Sequence, residues 1–187
     1  IEVITGNNCP SLTTLNLQSC KKLRYINVDD CNLSSLDVSN SKWLTTLRAY
    51  RNGKLTSLNA QGCTGLRYLY ADSTLLTETS VNVRGCVDLT EISLAKSRLT
   101  SLDVSSCKKL NRIWIYNNPF TIEGFNEFMC SLPDHAGEST NYRVHIVDQD
   151  KDTVLDYFQN AYLQSNTKIA TDKGWKFGNK TSNSSFA

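Results

Sequence analysis

The sequence is short of several things at once. Of its 187 residues only 9 are Gly and 3 are Pro, histidine occurs twice and methionine once, and 20 Lys+Arg against 18 Asp+Glu leave a formal charge of +2. That balance speaks against a dedicated nucleic-acid binder, which needs a basic excess to meet phosphates. No apolar run approaches the ~20 residues that cross a bilayer as a helix. Familiar catalytic signatures are missing too: there is no G-x-S-x-G, H-E-x-x-H, glycine-rich phosphate loop or C-x-x-C. His135 and His145 stand in no sequence context that pairs either with a nucleophile. No catalytic residue, metal ligand or cofactor is therefore expected. Cysteine is not scarce, but seven is an odd count, and so few Gly and Pro suit a loop-rich disulfide scaffold poorly. Something other than pairing must place the cysteines.

A repeat does. Leu102-Asp103-Val104-Ser105-Ser106-Cys107-Lys108-Lys109-Leu110 echoes Leu15-Asn16-Leu17-Gln18-Ser19-Cys20-Lys21-Lys22-Leu23. Units start at Leu23, Leu44, Leu66, Leu89 and Leu110, in steps of 21, 22, 23 and 21 residues. Three residues on come Ile26, Leu47, Leu69, Ile92 and Ile113, and two further on Val28, Ala49, Ala71, Leu94 and Ile115. The last two columns are alternate residues facing one way, as a strand requires, and their recurrence predicts a parallel sheet built from one strand per coil. Later in the unit Leu36, Leu58, Val81 and Leu102 form a second apolar half-turn. No stretch between the halves is long enough for a helix, so extended chain is expected on both sides of the coil. One coil cannot bury its own leucines, whereas a capped stack can.

The pattern L-x-x-L-x-x-x-x-N-x-L-x-x-L-D-V-S-x-C-x-x resembles the short, about 21-residue leucine-rich repeats of bacterial surface proteins of the Bacteroidetes type, more distantly similar to internalins. The resemblance covers residues 1 to 120, interrupted by insertions after Arg51 and Leu76. It implies an α/β solenoid, a right-handed coil with a parallel sheet on one face, an extended convex side and an α+β C-terminal cap over residues 121–187. It also implies export to a bacterial cell surface or periplasm. Since the chain begins at Ile1, any signal peptide or lipid anchor is expected outside it.

Two polar columns accompany the leucines. Cys31, Asn52, Thr74, Ser97 and Asn118 are small groups able to bond backbone where the chain leaves the strand. Asn16, Asp37, Asn59, Asn82 and Asp103 form an Asx column, read as side chains bonding neighbouring backbone rather than as a ladder of ligand carboxylates. Cys20, Cys63, Cys86 and Cys107 share one register position with Ser41, and parallel side-chain vectors make a disulfide between successive coils hard to reach. They are read as thiols packed like small hydrophobes.

After Phe120 the period stops. Ile122, Phe125, Phe128, Met129 and Leu132 share a helical face, with Thr121 as N-cap and Pro133 ending the segment. Tyr142 to Val147 alternates as a strand, 153–163 and Thr167–Lys173 read as helical, and Trp175-Lys176-Phe177 as a short strand. Asp148, Asp150 and Asp152 have the spacing that opens a calcium loop, but Thr153 and Gln159 stand where its glycine and bidentate glutamate belong, so a solvated turn is expected.

The positive functional signal lies between the core columns. Six of the fifteen outward positions on the repeated strands are aromatic, against 9% of the chain. Tyr25, Arg48, Tyr50, Tyr68, Tyr70, Asp72, Glu91, Arg112, Trp114 and Tyr116 form the expected ligand face, since Tyr, Trp and Arg dominate binding hot spots. Five coils at about 4.8 Å give a sheet about 24 Å tall. That suits an extended glycan, a peptide or a modest protein contact, because a standard interface takes about 800 Å² from each partner. The expectation is a non-catalytic protein- or glycan-binding module with no nucleic-acid partner. The alternative is a spacer segment of a larger surface protein, whose aromatics serve only strand formation.

Overall fold

The structure, a computed structural model, describes residues 1–138, 142–147 and 166–179. The three-residue strands β1 (Val3–Thr5), β2 (Tyr25–Asn27), β4 (Thr46–Arg48), β6 (Tyr68–Tyr70), β8 (Glu91–Ser93) and β9 (Arg112–Trp114) pair in parallel, in that order. Tyr25 lies opposite Thr46, Thr46 opposite Tyr68, Tyr68 opposite Glu91 and Glu91 opposite Arg112, which is the register of the leucine columns. A second parallel sheet of β3 (Ser35–Asp37), β5 (Ser57–Asn59) and β7 (Val81–Asn82) forms the expected extended convex side. The molecule is a parallel-strand solenoid of about five turns. Between its two sheets the start-column leucines and the columns that follow them are excluded from solvent.

The polar columns close the coils. Asn52 donates from Nδ2 to the carbonyls of Val28 (2.9 Å) and Ala49 (3.1 Å), while its Oδ1 accepts from the Leu33 amide (3.0 Å). Asn118 does the same toward Leu94, Ile115 and Leu99. A buried amide that satisfies backbone of two coils fixes their spacing. On the convex side all five Asx residues accept from the amide two residues on, at Gln18, Ser39, Gln61, Arg84 and Ser105. Those side chains are turn formers, as the sequence implied. All seven cysteines are free; Cys63 and Cys86 donate to carbonyls of the preceding coil, Val38 O (3.0 Å) and Ala60 O (3.2 Å).

Past Phe120, α1 (Ile122–Ser131) is capped by Thr121, whose side chain accepts from the Gly124 amide (2.9 Å). Phe125, Phe128 and Met129 face the core. The strands β10 (Arg143–Val147) and β11 (Lys176–Asn179), with α2 (Lys168–Asp172) between them in sequence, extend the first sheet: β10 pairs with β9 and β11 with β10, giving eight parallel strands. The cap therefore lengthens the ladder as well as covering its end. His135, Tyr142 and Trp175 pack together behind it, with the His135 and Tyr142 rings stacked at 3.6 Å. The expected helix at 153–163, the carboxylates Asp148, Asp150 and Asp152 and the tail 180–187 lie outside the described residues.

Candidate binding face

Strand alternation turns the expected ligand residues to the outer side of the eight-stranded sheet, and single-coil register sets them one above another. Their chemistry differs from the expectation of an open face. Asp29 and Asp72 face the next coil and serve its backbone: Asp29 Oδ1 accepts from the Tyr50 amide (2.8 Å) and Asp72 Oδ1 from the Ala95 amide (2.8 Å). Asp29 also takes Arg48 through Nε (3.0 Å) and Nη2 (2.9 Å), and Asp72 takes the Ser93 hydroxyl (2.5 Å). Burial pushes the Asp72 carboxyl up to about 6, outweighing the hydrogen bonds that favour its charge.

The aromatics form a ladder. Tyr50 stacks on Tyr70 at 5.6 Å between ring centroids, Tyr70 on Tyr68 at 6.4 Å, and the Arg48 guanidinium lies 5.2 Å from the Tyr50 ring. The Tyr70 hydroxyl donates to Glu91 (2.9 Å), whose other oxygen takes Arg112 (3.0 Å). Burial raises both the Tyr50 and Tyr70 phenols, so they stay neutral donors at any physiological pH.

Two expected members of the open face are not open. Tyr70 is 9% exposed and Trp114 5%, because Tyr70 lies between its neighbouring tyrosines and Trp114 is stacked on His145 at 5.0 Å with the rings 6° from parallel. Tyr68 is 38% exposed and Arg112 is exposed, while Tyr25, Tyr50 and Tyr116 are half-buried, with Lys96 5.6 Å from the Tyr116 ring. His145 joins the face although the sequence reading placed it only on a cap strand. Its signal was the alternation Arg143-Val144-His145, which sets side but not neighbour. Among the described residues no group of three or more His, Cys, Asp or Glu is placed to hold a metal ion, and no helix is long and apolar enough to cross a membrane.

Comparison with known proteins places the architecture. An internalin, InlF, from Listeria monocytogenes is 21% identical with a TM-score of 0.54, over 87% of this chain and 49% of that one. The fold matches that of internalin leucine-rich-repeat structures. The functional domain of InlJ from Listeria monocytogenes, described as including a cysteine ladder, is 17% identical with a TM-score of 0.31, over 73% of this chain and 48% of that one. Of these two InlF bears on the fold, and the chain spans about half the length of either. No protein-family model matches the sequence, and no curated protein matches it.

Proposed function

We propose that this solenoid is a non-catalytic binding module of an exported bacterial protein, which captures a protein partner on the outer face of its eight-stranded sheet. The observation that carries this reading is the tyrosine ladder. Tyr50, Tyr70 and Tyr68 are stacked on one another, and Arg48, Glu91 and Arg112 brace them through the bonds described above. Held rings lose little entropy on binding, so the surface is pre-organised. Contact then falls to Tyr25, Tyr50, Tyr68, Arg112 and Tyr116, with Tyr70 and Trp114 as supports. The likeness to an internalin supports a repeat that presents a sheet, and the bacterial, exported setting follows the sequence resemblance.

The spacer reading also has an observation in its favour: Asp29, Asp72 and Glu91 are engaged within the sheet, which leaves the face fewer free polar groups than its composition promised. Capture experiments separate the two. The triple variant Tyr25→Ala, Tyr68→Ala, Arg112→Ala folds normally and loses a surface-extract protein that the wild type and a convex-side Ser57→Ala variant both retain. Retention of that protein by the triple variant returns the face to a structural role.

A further inference from the structure

The tyrosine face is not the only aromatic surface. Trp43, one residue before the start leucine of its coil, is 61% exposed, whereas Trp114 and Trp175 are 5% and 1% exposed. It sits on the edge where the chain enters the sheet strands. The Arg24 guanidinium lies 5.9 Å from its ring centroid, from the preceding coil. On the following coil the equivalent position is Gly65, where a Cβ would come within 2.5 Å of the Lys42 carbonyl oxygen. The close approach requires glycine there, so the equivalent position on the following coil adds no side chain of its own.

This edge also carries several cations. The backbone steps from Arg24 to Thr45 to Arg67 by amide-to-carbonyl bonds of 2.8 and 2.9 Å, so Arg24 and Arg67 lie on the coils below and above that of Trp43. Glu2 engages Arg24 and Asp88 engages Lys109. Lys21, Lys22, Lys42 and Lys108, all exposed, form no ion pair among the described residues, and the exposed Arg67 lies near enough to Asp88 to help hold its carboxyl down. Residues 1 to 120 hold 14 Lys+Arg and 9 Asp+Glu, a net charge of +5 to which these side chains contribute.

We propose that the Trp43 edge is a second binding surface, independent of the sheet-face reading, for an acidic polysaccharide bearing carboxylate or sulfate groups. A flat, water-exposed indole takes the apolar C–H face of a sugar ring, as an amphipathic aromatic platform does. Basic side chains on the first, second, third and fifth coils, spanning about 20 Å of edge, match charges repeated along a chain rather than one anion in a pocket. A single anion would need converging donors, which this edge lacks.

The test titrates the whole protein with a size-defined heparin oligosaccharide, read by tryptophan emission, to which the exposed Trp43 responds most. Binding quenches or shifts the emission and weakens steeply with added salt. Lys21→Ala/Lys22→Ala/Lys42→Ala/Arg67→Ala lowers affinity at least tenfold, and Trp43→Ala lowers it roughly tenfold with binding then followed by calorimetry. These side chains are exposed, so thermal unfolding stays unchanged, and the Tyr25/Tyr68/Arg112 variant binds heparin like wild type. Affinity untouched by the lysine and Trp43 variants overturns the proposal. So does equal affinity for a polyglutamate peptide or an oligothymidylate of matched charge, which would show an edge that reads charge without reading sugar.

Discussion

Asp72 holds a carboxylate where the sheet leaves it little water, and this has a measurable consequence. Its folded value of about 6 lies above the ~3.9 of an unfolded aspartate. Stability from this group is full below about pH 4 and is lost as pH rises through 6, because the unfolded chain gives up the proton first. Asp72→Asn keeps an oxygen to accept from Ser93 and the Ala95 amide. Urea unfolding at several pH values is expected to show equal stability for the two proteins near pH 4 and a gain of about 2 kcal/mol for the variant above pH 6.5. A constant difference across that range would mean that Asp72 is charged throughout. The sequence showed an acid on a face rich in aromatics and could not show that its oxygen serves the next coil's backbone. That bond depends on a neighbour some twenty residues away.

Among the elements, α1 shows best what was legible and what was not. Its apolar spacing, Thr121 cap and Pro133 stop are all local signals, and the helix forms at Ile122–Ser131 within the segment they mark. Its docking is not local. A Cβ on Gly124 would fall 2.0 Å from the Thr100 carbonyl oxygen, so the helix lies directly against the coil that starts at Leu89. The Lys173 ammonium, more than forty residues on, donates to the carbonyls of Cys130 (2.6 Å) and Leu132 (2.9 Å) at the helix C-terminus. A cation there completes unpaired carbonyls and opposes the helix dipole. Lys173→Met is expected to cost about 1–2 kcal/mol by thermal unfolding, with Lys173→Arg recovering part of it. No loss in Lys173→Met would leave the ammonium a surface ornament. The joining of β10 to β9 was equally hidden, since a strand's alternation names its buried side and leaves its partner open.

At the scale of the whole molecule, the five registered columns were legible because each repeat states the same geometry again, and periodic apolar positions in a stack admit one packing. The cysteines follow the same register. Cys31, Cys63, Cys86 and Cys107 are buried, and burial pushes the Cys63 and Cys107 thiols up to about 11 and about 12. In the native protein a thiol reagent at pH 8 is expected to modify Cys9 and Cys130 quickly and Cys20 slowly, with all seven reacting only after unfolding and reductant leaving the melting temperature unchanged. Fewer than seven groups in the unfolded chain would reveal a disulfide. What remained illegible was exposure, because Tyr70 and Trp114 have the parity of surface residues and are covered by their own neighbours. The decisive property is whether the sheet's outer face meets the partner. A photo-crosslinking amino acid placed at Tyr68, and separately at Ser57 on the convex sheet, tests this directly in the presence of a surface extract. One defined crosslinked protein is expected from position 68 and none from position 57. The same crosslink from position 57, with none from position 68, would contradict it.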